Sequence, residues 1–137
     1  MPALSVQRPL DLKTVKQEPN LEKKARLALE FAHISVDSAL DAYQNNNPQT
    51  GEGILVEMLE AVELAHNALL ETGKLARRRP KHFKRAEIQT RRLLEQLDSL
   101  SRNLYLEERT PLESIIKRVS DINDRLLKAI MEKPKKK

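Results

Sequence analysis

Apolar residues recur every three to four positions along four consecutive stretches of this chain, and prolines or asparagines interrupt the pattern between them. This period is that of an α-helix with one buried face. The interruptions fall at residues 45–48, at Pro80 and at Thr110-Pro111. The pattern therefore predicts an all-α fold, namely an antiparallel, up-down-up-down four-helix bundle with an extended N-terminal arm and a basic C-terminal tail.

Local signals give the expected bounds of the helices. Asn20 is a suitable N-cap for the first helix. The run from Thr110 to Glu113 matches a capping box with Pro111 at the first helical position, so it predicts the start of the fourth helix, which ends near residue 132. The first three helices are expected over residues 21–45, 51–78 and 81–107.

Length and composition favour one soluble helical domain. A chain of 137 residues can bury a single core. We expect a four-helix bundle over residues 20–133, an extended or disordered arm over 1–19 and a basic tail over 134–137. Aromatic residues make up only 3% of the chain, which disfavours a β-rich fold, and the absence of cysteine excludes disulfides and thiolate chemistry. Because no apolar run approaches the ~20 residues of a spanning helix, we expect a cytoplasmic protein without a transmembrane segment.

Three apolar residues of the first helix fall on nearly the opposite side from its core-facing stripe. At 100° per residue, Leu27, Phe31 and Ile34 share this outer side. They are the predicted partner interface, for a homodimer or for a helix of another protein, although scattered surface apolar residues are also normal in a monomer. In the last helix, Asn123 is expected at an edge position in contact with water rather than as a buried amide.

Positive charge is concentrated near the second helix-helix corner and at the C-terminus, and the net charge is +5. Such density can bind a polyanion without reading sequence, since aromatic residues for base stacking are nearly absent. The expected partner is nucleic acid, an acidic protein or an anionic membrane surface. Alternatively, the cations complement the C-terminal dipole of the second helix and serve solubility. The predicted polyanion-binding residues are Lys74, Arg77, Arg78, Arg79, Lys81, Lys84 and Arg85, aided by Lys133, Lys135, Lys136 and Lys137. If the helices run up-down-up-down, both clusters lie at one end of the bundle, the basic pole, together with Lys23, Lys24 and Arg26.

Two Glu-x-x-His pairs, Glu30 with His33 and Glu63 with His66, have the spacing that helical bundles use for dinuclear metal sites. Helical geometry directs both glutamates toward solvent, and the last helix offers no inward glutamate. The chain also lacks a glycine-rich phosphate loop and a Ser-His-Asp arrangement. The sequence therefore predicts no metal, no cofactor, no catalytic residues and no enzymatic activity.

Arg77 and His82 resemble the Arg-x4–6-His motif of the HEPN ribonucleases, which are small all-helical proteins. The resemblance covers six residues, crosses a corner interrupted by Pro80 and lacks the polar residue that usually follows the arginine. It implies that Arg77 and His82 would hold and polarise a scissile phosphate at a dimer interface.

Taken together, the residues predict a non-enzymatic helical-bundle binding protein that uses a basic pole to engage a polyanion or an acidic partner. The alternative is a structural or adaptor bundle that self-associates or binds a partner helix through the apolar stripe of its first helix. Ionic strength distinguishes the two, because charge-driven binding weakens as salt rises and an apolar interface persists.

Overall fold

The computed structural model describes residues 10–73, 76 and 80–131, and every regular element within them is an α-helix. The predicted all-α class is confirmed. The described residues form five helices: α1 (Leu12–Lys16), α2 (Leu21–Gln44), α3 (Pro48–Glu71), α4 (Pro80–Arg102) and α5 (Leu106–Met131). The predicted basic tail, residues 134–137, lies outside the described residues.

The short helix α1 lies in the segment that the sequence assigns to an extended arm. Asp11 caps it by accepting a hydrogen bond from the backbone N–H of Thr14 (2.7 Å). Leu12 and Val15 are three positions apart, so one helical turn places both on the same side, where they are buried as α1 packs against α2 and α3. The expectation of an extended arm is therefore wrong for residues 12–16.

α2 begins where predicted, whereas both ends of α3 differ from the prediction. Asn20 accepts a hydrogen bond from the backbone N–H of Lys23 (2.8 Å), which confirms it as the N-cap of α2. α3 starts at Pro48 rather than at residue 51. Proline has no backbone N–H, but the N–H of the first helical position has no partner within the helix, so Pro48 is favourable there. It ends at Glu71 rather than at residue 78, since Gly73 adopts a left-handed conformation (φ 70°) that terminates the helix.

The corner between α4 and α5 also differs from the prediction. The carboxylate of Glu108 accepts a hydrogen bond from the backbone N–H of Tyr105 (2.9 Å), so the helix is capped before the Thr110-Pro111 run. Pro111 lies inside α5, where it removes the one helical hydrogen bond that its N–H would have donated to Glu107. The predicted start at Thr110-Pro111 is wrong, because its local pattern is that of a cap but the helix continues through it.

The four long helices enclose one core. α2 packs most closely on α3, α4 packs on α5, and the two pairs meet where α2 contacts α4 and where α3 contacts α5. The first pair buries mostly small residues, among them Ala25, Ala28, Ala32, Ala39, Ala61, Ala65 and Ala68. The second pair buries mostly large aliphatic residues, among them Leu93, Leu97, Leu100, Leu112, Ile115, Ile122 and Leu126.

A polar cluster is buried between α4 and α5. Asn123 is only 8% exposed, and its amide donates to the hydroxyl of Thr90 (2.7 Å) and to the backbone carbonyl of Glu87 (2.9 Å). The expected water-exposed edge position of Asn123 is therefore wrong, because α4 supplies acceptors that satisfy the amide inside the core. Hydrogen bonding from Arg91, opposed by burial and supported by Asn123, holds the pKa of Glu87 below its usual 4.5.

Candidate polyanion-binding surface

Three of the seven predicted polyanion-binding residues lie among the described residues. Lys81, Lys84 and Arg85 all occupy the first two turns of α4, and we call them the basic corner. The other predicted cations lie outside the described residues; they are Lys74, Arg77, Arg78, Arg79, Lys133, Lys135, Lys136 and Lys137.

The inner face of α4 explains why the basic corner is exposed. Phe83 and Ala86 pack into the core and are only 4% and 3% exposed. Lys84 and Arg85 lie between them in the sequence and Lys81 lies two residues before Phe83, and the 100° step of the helix directs all three cations to solvent. None of the ion pairs among the described residues involves these three side chains.

The position of the basic corner is unfavourable for the helix itself. A helix N-terminus carries a partial positive charge, so acidic residues usually occupy the first turn, as Glu107 and Glu108 do in α5. The first turn of α4 has no acidic residue and contains Lys81. Complementing the C-terminal dipole of the preceding helix does not explain these cations, because α3 ends at Glu71 and they belong to α4.

A groove between α2 and α4 adjoins the basic corner, and the sequence did not reveal it. Two cavities of ≈ 290 Å³ and ≈ 490 Å³ lie along it and share Gln89 as a lining residue. The remaining lining residues are Arg26, Leu29, Glu30 and Arg85 in the smaller cavity, and His33, Arg92, Glu95, Gln96 and Ser99 in the larger one. The signal in the sequence was the seven-residue spacing of Arg85 and Arg92, but the contribution of α2 depends on a contact between helices that are not consecutive.

Both Glu-x-x-His pairs are engaged in other contacts. Glu30 forms an ion pair with Arg26 (3.0 Å), and the Nδ1 of His33 lies 2.5 Å from the side-chain oxygen of Gln96, to which it donates. The Nε2 of His33 is buried and has no hydrogen-bond partner among the described residues.

In the second pair, Glu63 accepts a hydrogen bond from Arg118 (2.8 Å) on α5. Burial, and then the charges of Arg125 and Arg118, hold the pKa of His66 below its usual 6.5. Within the described ranges, no group of three or more histidine and carboxylate side chains is arranged to hold a metal ion.

The two residues of the ribonuclease-like motif are only partly described. His82 lies with its Nε2 3.5 Å from a carboxylate oxygen of Glu22, which joins the start of α4 to the start of α2. Arg77 lies outside the described residues, so no geometry links the two motif residues.

The predicted partner interface on α2 is only partly exposed. Ile34 is 54% exposed, Leu27 is half-buried against the core, and Phe31 is 8% exposed within the core. The expectation that Phe31 faces solvent is wrong, because the buried residues of α2 span about 160° of its circumference at 100° per residue. α2 needs so wide a buried face because it contacts α1, α3 and α4.

Comparisons with family models, with curated proteins and with solved structures find no match to this chain. Its function is therefore argued from its own residues. In the part of the chain that the structure describes, no helix combines the length and apolar character needed to cross a bilayer.

Proposed function

We propose that this chain is a non-enzymatic helical binding protein whose basic corner engages a polyanion or an acidic partner. The observation that carries the proposal is that Lys81, Lys84 and Arg85 are exposed at a helix N-terminus and have no ion-pair partner among the described residues. A bound polyanion would supply the missing negative charge and release its counterions. The cytoplasmic location expected from the sequence belongs to the same proposal.

We also propose that α2 to α5 form the antiparallel, up-down-up-down bundle expected from the sequence. Two contacts support a common direction for α2 and α4, since Glu22 pairs with His82 and, farther along both helices, His33 bonds to Gln96. Short links at residues 45–47 and 103–105 then favour reversal of direction within each pair.

A structural or adaptor role is the second candidate function, and the exposure of the apolar side chain of Ile34 favours it. This side chain is 54% exposed and lies on the same face of α2 as the half-buried Leu27, seven residues away. An apolar contact there, in a homodimer or with a partner helix, would persist as salt rises, whereas binding through the basic corner would weaken.

The test is fluorescence anisotropy of labelled RNA and labelled duplex DNA with the full chain at 50 and 200 mM salt. The variant replaces Lys81, Lys84 and Arg85 by glutamine. The matched control replaces Lys13, Arg102 and Lys117 by glutamine, which removes the same charge from exposed positions elsewhere. The plot of log affinity against log salt has a negative slope, and loss of three phosphate contacts reduces the magnitude of that slope by about 2–3.

We expect salt-sensitive binding that the basic-corner variant loses and the control retains. Equal loss in both variants would show that net charge alone is responsible. An absence of binding to either nucleic acid, together with a dimer that persists in high salt and dissociates on Ile34→Asp substitution, would favour the adaptor role.

A further inference from the structure

We infer that the α2–α4 groove, lined by the residues of its two cavities, binds the phosphodiester backbone of one nucleic-acid strand that enters from the basic corner. The inference rests on the proposed function and specifies the ligand and its path. Arg85 belongs both to the basic corner and to the smaller cavity, so the exposed cations and the groove are continuous.

The groove is lined by donors suited to phosphate. Its cations are all arginines, Arg26, Arg85 and Arg92, whose planar guanidinium groups bind phosphate through paired hydrogen bonds. Gln89 and Gln96 add neutral amide donors that can reach phosphate or sugar oxygens. Arg26 is paired with Glu30 at 3.0 Å, so these two charges offset each other. Arg85 and Arg92 are the groove cations without an ion-pair partner among the described residues.

The groove has the dimensions of a short strand. Its lining on α4 extends from Arg85 to Ser99, which is about 21 Å at 1.5 Å per residue. A stacked B-form strand rises 3.4 Å per nucleotide along its axis, so about six nucleotides span the same length. Arg85 and Arg92, seven residues apart, would therefore contact phosphates about three nucleotides apart.

The chemistry of the lining favours a nucleic-acid backbone over an acidic peptide. A peptide partner needs apolar anchors in pockets, and Leu29 is the only apolar residue among those that line the two cavities. Phe, Tyr and Trp are absent from the same lining, so the groove lacks the large rings on which bases stack, and it would bind without reading sequence.

The test measures binding of a labelled uridine 12-mer and a labelled 12-base-pair DNA duplex to single variants of the full chain. Arg92→Gln removes a cation that lies in the groove but outside the basic corner, and Lys117→Gln is its matched control. Glu95→Gln removes the carboxylate next to the expected path, and Glu113→Gln, an exposed position on α5, is its control. Circular dichroism verifies that each variant is folded.

We expect Arg92→Gln to weaken binding by about three- to tenfold. The slope of log affinity against log salt should decrease in magnitude by about 0.7–0.9. Glu95→Gln should tighten binding, while both controls stay within about twofold of the parent chain. A preference for the single strand or for the duplex identifies which form supplies the backbone.

The inference is overturned if Arg92→Gln and Lys117→Gln have equal effects while the basic-corner triple variant still loses binding, a result that leaves the proposed function intact. It is also overturned if poly-L-glutamate of equal charge competes as well as unlabelled RNA. If neither nucleic acid binds the parent chain, the inference is overturned, and the proposed function is overturned with it only if labelled poly-L-glutamate also fails to bind.

Discussion

The α2–α3 pair and the α4–α5 pair are held together by different kinds of side chain. Alanine is the most frequent buried residue of α2 and α3, with seven of sixteen, and the two backbones approach closely. The buried residues of α4 and α5 are mostly leucines and isoleucines around the polar cluster of Glu87, Thr90 and Asn123. The first interface requires small volume and the second requires large apolar area and satisfied hydrogen bonds, so the two should respond differently to substitution.

The largest expected effect is in the α4–α5 pair. Leu97 is fully buried, so Leu97→Ala should lower the free energy of unfolding by about 2–5 kcal/mol through lost apolar burial and the resulting cavity. Urea denaturation measures this. Leu106→Ala, at a residue 76% exposed, is the control and should change stability little. A loss below about 1 kcal/mol at Leu97 would contradict the described packing.

In the α2–α3 pair, replacing a small buried residue by a larger one should lower the free energy of unfolding. Ala65 is 2% exposed on α3, and a leucine there would force the helices apart, at a cost of about 1–3 kcal/mol. Val56→Leu, at a site 57% exposed on the same helix, is the control for adding volume. Unchanged or increased stability of Ala65→Leu in the same denaturation experiment would show that the interface accommodates the added volume and would contradict the described close packing.

The polar cluster should give the α4–α5 pair a pH dependence. Because the folded-state pKa of Glu87 is lowered, mainly by the hydrogen bond from Arg91, its ionised form stabilises the fold above the usual pKa of 4.5, and this contribution is lost as pH falls through the folded value. Glu87→Gln should cost about 1–3 kcal/mol at pH 7, and its deficit against the parent chain should shrink as the pH is lowered below 4.5. A constant deficit across that range, or the same behaviour in Glu113→Gln, would contradict the assignment.

The smallest effects compare two glycines of α3. A Cβ on Gly51 would lie 2.6 Å from Cε2 of Tyr43, whereas one on Gly53 would meet no atom within 4 Å. Gly53→Ala should therefore stabilise the chain by about 0.5–1 kcal/mol through helix propensity. Gly51→Ala should lose that gain, since the ring of Tyr43 must move. Thermal melts of the two variants check the order, and equal stabilisation would mean that the ring moves freely.

Local sequence signals predict much of the fold. The predictions that are wrong concern an ambiguous local pattern or residues whose burial depends on packing between segments distant in the sequence. Asn20 was recognisable because capping involves only residues a few positions apart. The prediction at Pro111 is wrong because a cap and a tolerated internal proline share one local pattern. The burial of Phe31 and Asn123 depends on which helices cover them, which periodicity alone does not specify.

The same distinction applies to the candidate site. The cations of the basic corner were readable from the sequence because they lie close together along the chain. The α2–α4 groove was not, since its two walls are contributed by helices that another helix separates in the sequence. The charge pattern of the sequence therefore predicts the cations of such a surface, whereas the groove beside them is found only from the tertiary structure.

The short links between paired helices also affect how fast the chain folds. Residues 45–47 and 103–105 are the only residues between the helices of each pair, so closing either pair restricts a short loop and costs little entropy. Contacts between the pairs join distant positions, such as His33 and Gln96, which are 63 residues apart. Helical proteins dominated by local contacts fold in microseconds to milliseconds, and we expect the association of α2 with α4 and of α3 with α5 to be the slow part of that process.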